Sequence, residues 1–328
     1  MHMVSKPNRR NVLGALAGGL AAPLAKPAIA QANWPDKPIK VIVPYAPGGG
    51  TDILARPWME KLGQIWGQPF VIENRGGASG MIGTEAAAKS APDGYTFLFT
   101  PNNTMNILPI LKPTPYDPAK SFDPVGRAGD MVCGFVVHPA AGIKTFAELI
   151  DHAKKSPGKL AFASSGAGTA TQMRIEMLKL KAGLDILHVP YRGGADALND
   201  VLANNAQLMN ESSALPHVKA GKLILLNVNH RERSSEFPNV PTLTELGYPG
   251  ADVPIWFSLW APAGTPKEIR EKINARMIEI AKSDDMKQRL ASAGYAPVPQ
   301  TMDELVKDMA DGAKTNAELI KAANIKLE

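Results

Sequence analysis

The sequence predicts an α/β fold of two lobes built in series, with a cleft between them. Three observations predict it. Strand-like apolar runs alternate with helix-like stretches through most of the chain; the alternation closes near residue 100 and restarts after residue 134; and Gly-, Ser- and Thr-rich loops recur where a strand-like run hands over to a helix. That order implies a mainly parallel sheet with helices on both faces.

The first 32 residues stand apart. "NRRNVLGALAGGLAAPLAKPAIAQA" has Arg9 and Arg10, an apolar stretch from Val12 to Ala25 and a small-residue end, the layout of an export signal. Cleavage after Ala30 or Ala32 fits. The paired arginines are compatible with twin-arginine export, and a Sec signal, which often carries the same pair, is the favoured alternative. Removing residues 1–32 takes four of the 36 basic residues and none of the 31 acidic ones, leaving a net charge of +1. The basic balance therefore belongs largely to the signal, and no nucleic-acid partner is expected.

In the body, "IKVIVPY" (39–45) precedes a helix-like 51–66, "PFVIENR" (69–75) precedes "MIGTEAAAK", and "YTFLFT" (95–100) closes the set. The second set holds "GFVVHP", a helix over 145–155, "KLAFASS" (159–165), a helix over 170–182, "DILHVPY" (185–191), a helix over 194–204 and "KLILLNVN" (222–229). "SFDPVGRAGDMVCGFVVHP" reads as the crossing between lobes and the proline-rich 237–256 as the return. Helices over 266–282, 284–293 and 302–322 then pack on the first lobe. Lobe one is expected over 33–133 and 253–328, lobe two over 134–252. Thr265 suits an N-cap, with Pro266 at the first helical position and Glu268 at the third. The single cysteine, Cys133, sits in an apolar run and reads as a buried small hydrophobe.

Three loops can hold an anion at a helix start, because glycine lets backbone N–H groups approach closely. They are "PYAPGGGTD" (44–52), "ENRGGASGMIG" (73–83) and "ASSGAGTATQM" (163–173). Thr51 suits an N-cap and Asp52 a cap or loop clamp. Each loop is also compatible with a plain tight turn. A dinucleotide fingerprint fails on spacing, since Ile53 and Thr171 stand where it needs a glycine, and no phosphate-loop lysine pattern exists. Neither Ser79 nor Ser165 lies in a G-x-S-x-G elbow. No His-Glu-x-x-His pattern is present, and His188 reads as a strand residue rather than a general base. The residues therefore favour binding over catalysis, with no cofactor or metal expected. A hydrolase or transferase on the same scaffold, and a ligand sensor feeding a receptor, are the alternatives.

The motifs "WPDKPIKVIVPYAPGGGTDILAR", "GQPFVIENRGGASGMIGTEAAAKSAPDGYT", "YDPAKSFDPVG", "SSGAGTATQM", "HVPYRGGADALNDVL", "ALPHVKAGKL" and "WAPAGTPKEI" resemble the solute-binding proteins of tripartite tricarboxylate transporters, the Bug family, over about 34–322. The resemblance implies a two-lobe periplasmic binding protein fold, type II-like, that closes on a small carboxylate as a monomer and delivers it to integral-membrane transporter subunits. It implies a first loop from Tyr45 through Gly48, Gly49, Gly50 and Thr51 to Asp52. The matching lobe-two loop runs Ser165, Gly166, Ala167, Gly168, Thr169, Thr171 and Gln172. Ala78, Ser79 and Gly80, the strand end Thr100 to Thr104 with Asn102, and Tyr191 would line the same cleft. Asn102 and Asn103 offer donors and acceptors. The chain departs from the family pattern at Pro57, at Gln172-Met173, in "TPNNTMN", and in a shortened 206–214 link that carries Glu211. A Glu211 reaching the cleft would repel a second carboxylate and favour an amino or hydroxyl group.

Overall fold

The computed structural model describes residues 34–326, so the expected export segment lies outside the described residues. Strand β1 (Ile39–Val43) leads into helix α1 (Gly50–Trp66), β2 (Phe70–Asn74), α2 (Met81–Ala88) and β3 (Thr96–Pro101). Short turns α3 (Asn103–Asn106), α4 (Leu108–Leu111) and α5 (Pro118–Ser121) precede the ten-residue β4 (Phe122–Met131). A second set follows: β5 (Val136–Val137), α6 (Phe146–Lys155), β6 (Ala161–Ser164), α7 (Ala170–Ala182), β7 (Leu187–Pro190), α8 (Gly194–Leu202), β8 (Leu208–Met209), α9 (Leu215–Lys219) and β9 (Ile224–Leu225). The chain then closes with β10 (Trp256–Pro262), α10 (Lys267–Lys282), α11 (Asp284–Ser292), β11 (Tyr295–Ala296) and α12 (Met302–Ala322).

These strands form two sheets, ordered β11-β4-β10-β3-β1-β2 and β7-β6-β8-β5-β9. The expected parallel core is there: β1 pairs in parallel with β2 and β3, and β6 with β7 and β8. The expectation of a mainly parallel sheet is corrected, because β10 runs antiparallel to both β3 and β4, and β5 antiparallel to β8 and β9. The cause is the connectivity. β4 carries the chain out of the first sheet and β10 brings it back, so the two legs of the excursion run in opposite senses. The stretch read as a crossing is mostly strand β4, and the passage proper spans only Met131 to Val136. "KLILLNVN" pairs as a strand only at Ile224–Leu225; beyond it Val228 makes isolated bridges to Cys133 and Thr242.

β1 and β3 are buried along most of their length, which is why they read as near-continuous apolar runs. Ile42, Leu98, Trp256 and Trp260 pack with Leu305 and Ala87 on the first sheet. Phe135, Phe146, Phe162, Ile175 and Leu208 form the core of the second. Capping boxes start α6 (Thr145 with Glu148) and α12 (Thr301 with Glu304). Two N-cap expectations are corrected. Gly49, not Thr51, caps α1, and Pro266, not Thr265, precedes α10; the Thr265 hydroxyl instead donates to the Pro262 carbonyl at 2.7 Å. α1 continues through Pro57 to Trp66.

Arg174 on α7 ties the two passages together. It is 1% exposed, and its guanidinium donates to the carbonyls of Met131 (3.1 Å), Cys133 (3.0 Å) and Val253 (2.7 Å) and to Asn210 Oδ1 (2.8 Å). Outgoing and returning segments thus share one buried cation. Burial lowers its pKa to about 10, so it stays charged at neutral pH.

Candidate carboxylate site between two helix starts

Two loops of the same construction face each other. In the first, Gly48 takes a left-handed φ of 77° and Gly49 caps α1; in the second, Gly168 takes φ 74° and Thr169 caps α7. In each, a helical side chain reaches back four residues to hold the loop. Gly48 N–H donates to Asp52 Oδ2 at 3.0 Å, and Gly168 N–H to Gln172 Oε1 at 2.7 Å. Gly50, Thr51 and Asp52, like Ala170, Thr171 and Gln172, therefore occupy the first helical turn, whose amides have no intrahelical acceptor. The macrodipole adds positive potential at both starts.

Asp52 carries more than its loop. It also accepts from Arg56 Nε and Nη2, both at 2.9 Å, and from Asn74 Nδ2 at 3.1 Å. Burial pushes its carboxyl up, but the Arg56 pair and the Gly48 and Asn74 donors outweigh that and hold it below the usual range. Asp52 is thus a fully engaged clamp. On the other side the hydroxyls chain together: Thr169 Oγ1 donates to the Gly166 carbonyl at 2.6 Å and lies 3.0 Å from Thr171 Oγ1, which is 3.0 Å from Ser165 Oγ.

Between the loops lies a cavity of about 30 Å³ lined by Tyr45, Gly49, Gly50, Thr51, Ser165, Thr169, Thr171 and Glu211 among the expected residues. Ala170, Asn103, Gly194, the strand residues Pro101, Met131 and Phe257, and Ile255 just before β10 complete it. The Tyr45 hydroxyl sits 2.8 Å from the Ser79 carbonyl and 3.0 Å from Asn103 Oδ1, and burial raises its pKa, so it is a neutral donor.

The other expected residues support this cavity without lining it. Gly48, Asp52, Gly166, Gly168 and Gln172 form the loops' own bonding. Ser79 Oγ donates to the Ala167 carbonyl at 2.6 Å, joining the 73–83 loop to the 163–173 loop. Ala78 and Ser79 both have positive φ (49° and 56°), and Gly80 packs against Tyr45 and Thr104. Thr100 and Thr104 bond to one another at 2.8 Å in the core. Asn102 donates to the Pro254 carbonyl and lines a neighbouring groove of about 740 Å³ that shares Met131 and Ile255 with the cavity. The Tyr191 hydroxyl turns away to Asp200 Oδ2 at 2.6 Å. The third helix start at the cavity is therefore that of α8, through Gly194, rather than that of α2. The sequence signal for it is the Gly193-Gly194 pair after "HVPYR".

Glu211 is 5% exposed. Burial raises its pKa to about 7, against the lowering effects of the Ser165 hydroxyl and Arg174. Cys133 is buried, and desolvation pushes its thiol up to about 12, which makes it unreactive. His188 Nε2 lies 2.6 Å from Ser164 Oγ beneath the second loop. Among the described residues no group of three His, Cys, Asp or Glu side chains is placed to hold a metal.

A family model described as tripartite tricarboxylate transporter family receptor matches residues 54–325. Protein BugT of Bordetella pertussis is 34% identical over 317 residues, covering 94% of this chain and 95% of that one. A solved structure described as a periplasmic transporter superposes with a TM-score of 0.86 at 36% identity, covering 90% of this chain and 100% of the other. An R. palustris protein solved with adipate gives a TM-score of 0.86 at 30% identity, covering 89% of this chain and 99% of its own.

Proposed function

This chain belongs to the tripartite tricarboxylate transporter receptor family, and from that premise we propose that it captures a small carboxylate between two lobes and delivers it to membrane subunits of such a transporter. The observation that carries this reading is the pair of opposed helix starts, Gly49–Thr51 and Thr169–Thr171, aimed at one cavity with neutral donors around it. A carboxylate there accepts from backbone amides and hydroxyls. Hydrogen bonds to a charged group contribute about 1.5–3 kcal/mol each. No arginine is needed, and neutral donors desolvate more cheaply than a buried cation. The adipate bound by the R. palustris relative belongs to the same chemical class.

Lobe one comprises 33–133 and 253–328, and lobe two 134–252. The cavity of about 30 Å³ has room for two or three waters, at about 10–15 Å³ each. A ligand of several carbons therefore enters only when the lobes part, and closure about the two passages completes the grip. The protein acts as a periplasmic monomer after its first 32 residues are removed, and it binds its ligand without transforming it. Calorimetry on protein unfolded and refolded to strip co-purified ligand tests this. Micromolar binding of at least one small carboxylate, with the acid recovered unchanged, is the expected result. Turnover of the acid, or no heat with any carboxylate, would overturn it.

A further inference from the structure

We propose that Glu211 selects the ligand: the acid this protein captures carries a hydrogen-bond donor, an ammonium before a hydroxyl, that reaches the Glu211 carboxyl. This deepens the carboxylate reading above and rests on it.

Three observations place Glu211 in that role. Its carboxyl lines the cavity while being 5% exposed. Two glycines from distant parts of the chain make room for it. A Cβ on Gly50 would lie 3.0 Å from Glu211 Oε2, and one on Gly194 would lie 2.9 Å from Glu211 Cδ. And among the described residues no lysine or arginine forms an ion pair with it within 4 Å; the guanidinium of Arg174 donates instead to Asn210 and three carbonyls.

The surroundings decide what it asks of a ligand. From α7 it feels the charge of Arg174, and from the 163–173 loop the Ser165 hydroxyl favours its charged form. Tyr45, Tyr295 and Cys133 face it from the first loop, β11 and the outgoing passage, and all three are buried and protonated. The starts of α1 and α8 lie against it through Gly50 and Gly194. The starts of α1, α7 and α8 offer amide donors, and Pro101, Met131, Ile255 and Phe257 make the rest of the lining apolar. A ligand spanning it therefore needs an acceptor at the loops and a donor at Glu211. A plain dicarboxylate sets two anions against each other unless Glu211 takes up a proton, which its elevated pKa makes possible only toward acid pH.

The test uses ligand-stripped full chain and calorimetry at pH 6 and pH 8.5. The probes are succinate, glutarate and adipate, each beside its 2-amino and 2-hydroxy derivative. At pH 8.5 the best amino derivative should bind at least about tenfold tighter than its parent diacid, equivalent to about 1.4 kcal/mol. The gap should narrow at pH 6. In Glu211→Gln, checked for folding by thermal melting, it should fall below about threefold at both pH values. A parent diacid binding as tightly as its derivatives at pH 8.5, or a gap that survives in Glu211→Gln, would overturn the selection while leaving carboxylate capture standing. If the variant fails to fold, the wild-type pair of pH values decides, and an unchanged gap overturns it. Binding of none of the nine probes, alongside heat with an unrelated carboxylate, would also remove it; silence with every carboxylate would fell the capture reading itself.

Discussion

Burial acts on Glu211 in the cavity and on His188 beneath the second loop in ways that tilt stability with pH in opposite directions. Glu211 is raised from 4.5 to about 7, so the folded protein holds its proton where the unfolded chain has lost it. The stability this contributes is fully present below pH 4.5 and is lost as pH rises through 7. His188 is lowered from 6.5 to about 4, chiefly by burial and secondarily by Lys179. Its contribution is present above pH 6.5 and lost as pH falls toward 4. The two slopes oppose one another between pH 4.5 and 6.5. Above that range only the Glu211 loss remains, on the order of 3 kcal/mol at about 1.4 kcal/mol per unit. Glu211→Gln should therefore melt several degrees above wild type at pH 8 and alike with it at pH 4.5. Coincident melting temperatures at pH 8 would show that the carboxyl is ionised there at no cost. The sequence identified Glu211 as a departure from its family but not as a buried group. Its burial is set by Gly50 and Gly194, which lie 161 and 17 positions away. Arg174 was invisible for the same reason: within α7 it reads as an ordinary helical arginine, and only the fold brings three carbonyls of the passages around it.

The two gripping loops are the elements that the sequence showed most clearly. "GGGTD" and "GTATQ" both place a glycine four residues before an acceptor side chain, and both end as a loop clamped by its own helix. What the sequence misplaced were the caps. A cap is fixed by backbone torsion, and Gly49 at ψ 167° takes the extended geometry two residues before Thr51 suggests it. Thr265 failed likewise because its hydroxyl found the Pro262 carbonyl first. The clamps make unequal demands. Asp52 accepts from three residues and is charged, whereas Gln172 holds one amide with a neutral oxygen. Asp52→Ala should cost about 2–4 kcal/mol of stability and Gln172→Ala about 1 kcal/mol, following the usual difference between charged and neutral hydrogen bonds. Both should weaken carboxylate binding about tenfold, since each leaves first-turn amides unpositioned. Urea unfolding of the two variants, paired with ligand titration, checks the ordering. Equal stability losses would mean that the Arg56 and Asn74 contacts add nothing to the Asp52 clamp.

At the scale of the molecule, two contacts join the parts carrying the two sheets, and the proposed closure makes different demands on them. Arg174 binds the outgoing and returning passages to α7 from inside the core. Ser79 is different. Its hydroxyl bond to the Ala167 carbonyl links a loop after the first sheet's β2 to a loop after the second sheet's β6, so opening must break it. The residue is presented by a backbone held at positive φ over Ala78 and Ser79, a conformation that non-glycine residues adopt at a cost of about 1–3 kcal/mol. Once the loops part, both partners meet water, so the bond biases closure by only its net worth of about 1 kcal/mol. Ser79→Ala removes that bias without altering the cavity lining. The closed-to-open ratio should fall about fivefold, and apparent carboxylate affinity should drop by up to the same factor, because binding must now supply the missing closure energy. Small-angle scattering should find the unliganded variant more extended than wild type, and the ligand-saturated variant as compact. Scattering curves that coincide without ligand would mean that the Ser79 bond sits on a seam that never opens, and the hinge would then have to lie elsewhere than between these two loops.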